Sequence, residues 1–206
     1  MAVVITVAQQ KGGAGKTTLA ANLAAALATR RRVAVFDIDP QHSLARWHAL
    51  RADGRRRIAL SDAAGWRLGA ELDRMQGTHD VLIIDSPPQI ETEARVAVRS
   101  ADLVLVPLQP SPPDLWAAEG TLALAAAERR PAHLVLNRVP AGGKLRAEME
   151  AELARRGYPL LAARLGNRTG FATAFARGLG VTEAAPKSAA AAELLTLLDE
   201  IEGLLG

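Results

Sequence analysis

The chain has 206 residues, 49% of them hydrophobic, a length that buries one sizeable core and is short for two domains, so a single domain over 1–206 is expected. Cysteine is absent, which excludes disulfides and thiolate-held iron–sulfur clusters and fits a reducing compartment. The formal net charge of +3, carried mostly by arginine, permits a polyanionic partner without requiring one; with no basic leader before Val3-Val4-Ile5 and no apolar run of membrane-spanning length, a soluble cytoplasmic protein is expected.

Val3–Ala8 is a short apolar run without strict alternation, the pattern of a strand buried on both faces. A glycine-rich loop follows, then Thr17–Thr29, whose alanine and leucine favour helix. Val33–Phe36 reads as the second strand and runs into Asp37-Ile38-Asp39-Pro40-Gln41. Arg51–Gly77 is the least regular part, with Arg55-Arg56-Arg57 ahead of a possible short strand at Ile58–Leu60. Strand-like runs at Val81–Ile84, Leu103–Val106 and Leu134–Leu136, and a weaker one at Leu160–Leu161, then alternate with helical segments at Glu91–Ser100, Leu115–Arg129 and Lys144–Arg156. In Ala189–Leu205 the residues Leu194, Leu197, Leu198, Ile201, Leu204 and Leu205 recur at three- and four-residue spacing, which predicts an amphipathic helix. The alternation predicts an α/β fold with a mainly parallel sheet flanked by helices on both faces, because parallel strands need crossover connections. Ligands of such sheets bind beyond the carboxyl ends of the strands. Gln9–Thr18, Asp37–Gln41, Asp85–Pro88, Pro107–Pro113 and Asn137 all follow strand-like runs and should gather on one rim.

The loop is Lys11-Gly12-Gly13-Ala14-Gly15-Lys16-Thr17-Thr18. Its glycines let consecutive backbone N–H groups turn toward a polyphosphate, Lys16 supplies a point charge at the β/γ-phosphates, and Thr17 offers a hydroxyl to Mg2+. The strict pattern G-x-x-x-x-G-K-[ST] requires glycine at position 10, where Gln10 stands, and an additional lysine, Lys11, opens the loop. In this K-G-G-x-G-K-T-T form it resembles the deviant Walker A box of the ParA/MinD family of ATPases. The resemblance implies a single-domain P-loop NTPase that uses ATP and Mg2+, hydrolyses ATP slowly, and forms a homodimer in the ATP state. Gly12, Gly13, Ala14, Gly15, Lys16, Thr17 and Thr18 would cradle phosphate, and Lys11 would cross to the other subunit's nucleotide. The other reading of Lys11 is a solvated lysine that adds positive potential.

The D-x-D-P-Q run resembles the same family's A′ motif. By that resemblance Asp39 orients the attacking water, while Asp37 supports the magnesium shell; an aspartate of ordinary pKa is a poor base at neutral pH, so water positioning is the expected contribution. Asp85, ending a four-residue apolar run, has the form of a Walker B aspartate that holds Mg2+ with Thr17. Ser86-Pro87-Pro88 resembles the family's switch segment. Asn137 ends a strand; its amide either pairs with an adenine edge, as the resemblance implies, or bonds its own turn. Pro107 and Gln109 resemble the segment that lines the other side of the base and touches the dimer interface.

Arg146, Arg164, Arg168 and Arg177 lie late in the chain with few aromatics among them. Such a surface could neutralise phosphates without reading bases, as ParA-like dimers do on nucleoid DNA, or it could be a solvated face offset by Glu148, Glu150 and Glu152. The terminal segment carries Glu193, Asp199, Glu200 and Glu202 against Lys187 alone, so attachment to an anionic membrane in the manner of MinD is not expected. The expected function is therefore a Mg-ATP-driven, DNA-binding dimer that partitions or positions a cargo and is reset by a cargo-bound partner protein. The alternatives are a MinD-like membrane-associated or protein-recruiting ATPase, and a metabolic P-loop enzyme with its substrate pocket near Ser86–Glu91.

Overall fold

A computed structural model describes residues 2–51, 58–61, 65–88, 92–142 and 144–206, with 144–146 described by backbone alone. Seven strands form one sheet: β1 (Val3–Val7), β2 (Val33–Asp37), β3 (Ile58–Ser61), β4 (Val81–Asp85), β5 (Leu103–Leu108), β6 (Ala132–Val139) and β7 (Leu160–Gly166). Their order is β3-β2-β4-β1-β5-β6-β7, and every pairing is parallel. β1, β2 and β4 are buried almost throughout, so their continuous apolar runs reflect cover on both faces.

The cover comes from α1 (Lys16–Leu27), α2 (Ser43–Ala49), α3 (Leu68–Gln76), α4 (Thr92–Ser100), α5 (Pro112–Ala127), α6 (Lys144–Arg155), α7 (Thr169–Phe175), α8 (Val181–Ala184) and α9 (Ala189–Leu205). On one face α1, α2, α7, α8 and α9 pack on Ile5, Val7, Val33, Val35, Ile83 and Leu105. Beneath the other, α3 and α4 close on Val4, Phe36, Leu82 and Ile84, while α5 and α6 close on Val104, Val106, Leu134 and Leu136. α1 is apolar almost all round and lies in the middle of its layer; its Asn22 is satisfied by Thr18 O and the Val181 N–H, each at 2.8 Å. α9 buries Leu194, Leu197, Leu198 and Ile201 as its spacing predicts, whereas Leu204 is exposed.

Several elements differ from the sequence expectation. The irregular stretch Arg51–Gly77 contains β3, a 3-10 turn at Gly65–Arg67 and all of α3, whose Leu68, Leu72 and Met75 are buried at helical spacing. Arg55, Arg56 and Arg57 lie outside the described residues, as do Gln89, Ile90 and Glu91. β7 is longer than Leu160–Leu161 because it is an edge strand with alternating burial: Leu161, Ala163 and Leu165 point inward and Arg164 outward. α5 starts at Pro112, ahead of Leu115. Ser111 caps it by accepting the Asp114 N–H, and proline is favoured in that first turn because its missing donor would have had no partner.

Candidate nucleotide site

The glycine loop joins β1 to α1 at the carboxyl rim of the sheet, with Gly13 at φ 79° and Gly15 at φ 94°. A Cβ at Gly15 would also lie 2.4 Å from Asn137 Nδ2, so both backbone and space demand glycine there. Two side chains brace the loop from neighbouring strand ends: Asn137 Nδ2 donates to Ala14 O at 2.8 Å and Gln109 Nε2 to Gly13 O at 3.2 Å. Gln9 Nε2 donates to Pro107 O at 3.3 Å. Gln10, at the position where the strict pattern has glycine, fits because it lies over Gly120 of α5, where a Cβ would come within 2.1 Å of Gln10 Nε2. Gly12, Gly13, Gly15, Lys16, Thr17 and Thr18 line a cavity of about 260 Å³, completed by Asp39, Gln41, Ser43, Pro88, Arg138 and Phe175. A larger cavity of about 520 Å³ lies at the opposite end of the sheet, beside Ala2, Arg32, His79 and Asp80, far from the glycine loop.

The strand ends set the carboxylates. Val7, Asp37 and Asp85 lie at one register level across β1, β2 and β4. Asp85 is fully buried, and neither carboxylate oxygen has a hydrogen-bond partner among the described residues. Burial pushes its carboxyl up to about 8 against the pull of nearby Thr17 and Lys16, with Asp37 and Asp39 adding to the rise. Lys16, also buried, is shifted down by desolvation, against the attraction of Asp85 and Asp39. An orphaned carboxylate beside a threonine hydroxyl fits a hard divalent cation. Among the described residues no group of three or more His, Asp or Glu side chains could hold such an ion alone, so phosphate and water would complete its shell.

Asp37 is engaged differently. Its Oδ1 accepts the Asp39 N–H at 3.2 Å and its Oδ2 accepts the Ala45 N–H at 2.8 Å, so it braces the Asp39 loop and the first turn of α2. Burial raises its pKa and those backbone donors oppose the rise. With both oxygens engaged it is less available to a metal than Asp85. Asp39 lies beyond the end of β2, lines the cavity, and accepts the Gln41 N–H at 2.9 Å.

Lys11 lies outside the residues that line its own phosphate cavity. Its Nζ is 2.5 Å from Oδ2 of buried Asp114, which also accepts from Ser111 Oγ and, through Oδ1, from the Gln109 N–H. Asn137 has both amide ends engaged, donating to the loop and accepting the Arg138 N–H at 2.9 Å, the geometry of the turn-bonding reading. Gln109 reaches the loop backbone, and Pro107 enters through its carbonyl. Among the arginines, Arg164 pairs with Glu150 and Arg168 with Glu193, while exposed Arg177 makes no ion pair among the described residues; the Arg146 side chain lies outside them. Sequence reasoning did not single out Asp114, Arg138, Ser43 or Phe175. For Asp114 a signal existed in Ser111-Pro112-Pro113-Asp114, an N-cap with an acid three residues on.

Known proteins share this architecture. Maintenance of carboxysome distribution protein A from Halothiobacillus neapolitanus is 30% identical over 210 residues, covering 97% of this chain and 96% of that protein. Cyanothece McdA in its ATP complex superposes with a TM-score of 0.84 at 18% identity, covering 100% of this chain and 96% of that one. The septum site-determining protein MinD from Pyrococcus horikoshii, complexed with Mg-ADP, gives 0.81 at 22% identity, covering 100% and 98%. The family profile described as CobQ/CobB/MinD/ParA nucleotide binding domain matches residues 5–181. A lysine-bearing glycine loop on the rim of a parallel sheet, and a profile match over most of the length, place this chain in the CobQ/CobB/MinD/ParA nucleotide-binding domain family.

Proposed function

We propose that the protein is a Mg-ATP-dependent dimerising ATPase switch that binds DNA without sequence preference and positions a cargo in the cytoplasm, on the nucleoid. The observation that carries this reading is Lys11: a second loop lysine outside its own cavity, partly exposed and tethered to Asp114 of its own chain, is free to serve another subunit's nucleotide once that tether opens. The cavity of about 260 Å³ is also small beside the roughly 300–1,000 Å³ of pockets that enclose a ligand, which leaves part of a bound nucleotide for a second copy to cover. The likeness to a carboxysome distribution protein over nearly the full length supports cargo positioning. Arg177, exposed and without an ion pair among the described residues, offers a cation for DNA backbone. A MinD-like membrane role is less well supported, since α9 turns its apolar face into the core and its Glu202 pairs with Arg30.

In this mechanism the loop amides and Lys16 hold the β- and γ-phosphates. Thr17 and Asp85 would hold a magnesium ion, which would supply neutralisation of phosphate charge. Asp39, fixed by Asp37, orients water for in-line attack on the γ-phosphate. Asp39 contributes by positioning water, not as a strong base, so turnover is slow until a cargo-bound partner protein stimulates it.

Light scattering in Mg-ATP tests the reading: the wild type should be a dimer, and Lys11→Ala a monomer whose nucleotide affinity stays within a few-fold. A monomeric wild type at saturating ATP overturns it. Co-sedimentation with mixed-sequence DNA should require ATP; ATP-dependent binding to anionic vesicles without DNA binding would instead establish the membrane alternative.

A further inference from the structure

β6 does not run straight into the site. Its pairing with β7 slips between Leu136 and Val139, and at that irregularity Arg138 adopts a left-handed backbone with φ 50°. Asn137 Oδ1 holds the turn by accepting the Arg138 N–H. A bulge of this kind re-aims side chains: Asn137 is buried against the glycine loop, while Arg138, the next residue, is exposed and lines the phosphate cavity. Positive φ is costly for a β-carbon-bearing residue that is neither Asn nor Asp, and such conformations persist where the surroundings enforce them. Arg32, Arg74, Arg155, Arg156, Arg164 and Arg168 each meet a carboxylate. The Arg138 guanidinium makes no ion pair or hydrogen bond among the described residues, although the residue lines a cavity that Asp39 also lines.

We propose that Arg138 is a phosphate-contacting residue of the nucleotide site, held in a left-handed turn so that its guanidinium fork meets the polyphosphate from the side opposite Lys16. The assignment rests on the nucleotide-site reading above and adds to it a second cation of different chemistry. Lys16 is a buried point charge. An arginine stays charged in such surroundings and offers paired donors to phosphate oxygens. It also explains why the position carries arginine when glycine would relieve the backbone.

The test compares wild type, Arg138→Ala, Arg138→Lys and Arg138→Gly by calorimetric titration with Mg-ATP, Mg-ADP and inorganic triphosphate, alongside thermal melts without ligand. Loss of charge-assisted hydrogen bonds predicts that Arg138→Ala and Arg138→Gly weaken ATP and triphosphate by about tenfold or more, with Arg138→Lys intermediate. Arg138→Gly should melt at or above the wild-type temperature, which separates lost binding from lost folding. ATP affinity within twofold of wild type in Arg138→Ala would overturn the assignment, as would a loss confined to ATP and ADP with triphosphate binding intact, since the contact would then be to the nucleoside. A wild type that binds none of the three ligands would reject the nucleotide site itself, an outcome distinct from either.

Discussion

Asp85 shows how a single residue can be unstable alone and functional in company. Its carboxyl titrates near 8 in the folded chain and near 3.8 when exposed. The folded state therefore keeps a proton that the unfolded state releases, and the stability associated with it, full below about 3.8, is lost as pH rises through about 8. Within that window each pH unit costs about 1.4 kcal/mol. Melts of nucleotide-free protein in chelator should accordingly fall from pH 6.5 to 8.5. Asp85→Asn should remove most of the fall and also the magnesium dependence of ATP binding. Parallel pH profiles in the two proteins would mean that the carboxylate is already ionised at neutral pH. The spacing of Asp37 and Asp39 predicts two separate roles, and the geometry separates their contacts: Asp37 accepts two backbone N–H groups, and Asp39 lines the cavity beside the glycine loop.

At the scale of elements, α2 links the site to the far end of the chain. Trp47, with no exposed surface, donates from Nε1 to Leu179 O at 3.3 Å and stacks on Phe175 with centroids 6.3 Å apart. Arg51 lies 4.8 Å from the centre of the Trp47 ring, donates to Gly178 O at 2.8 Å and forms a two-pronged pair with Glu183. Arg51 is buried and Glu183 half-buried, so Arg51→Ala removes these hydrogen bonds and should lower stability by about 1–3 kcal/mol in urea unfolding. A loss under about 1 kcal/mol would show that water replaces the guanidinium. The arginines near β7 and α7 should separate in a similar way. Arg168 holds Glu193, which also accepts the Gly166 N–H at 3.0 Å, so Arg168→Glu should lower the melting temperature. Arg177→Glu should leave melting unchanged and weaken ATP-dependent DNA co-sedimentation severalfold; unchanged co-sedimentation would remove Arg177 from the DNA surface. Sequence patterning located the central strands because burial on both faces leaves unbroken apolar runs. It missed α2, α7 and α8, which span two turns or fewer, too little for a repeating apolar pattern, and are held by long-range contacts such as Trp47 to Leu179.

For the whole molecule, the sheet order decides what meets what. β1 is flanked by β4 and β5, so the glycine loop emerges between the Asp85 end of one and the Pro107–Gln109 end of the other. The residue types of Lys11–Thr18, Asp37–Gln41 and Asp85 were enough by themselves to identify a phosphate-binding α/β domain, because loop chemistry and apolar runs are local properties of the chain. Tertiary structure alone decided that Asn137 and Gln109 brace the loop, that Asp114 holds Lys11, and that Arg138 lines the cavity beside the glycine loop. Asn137 lies 123 residues from Ala14, and Asp114 lies 103 from Lys11. Contacts at such separations leave no periodic trace in a sequence; they exist because parallel crossovers bring successive strand ends to one rim.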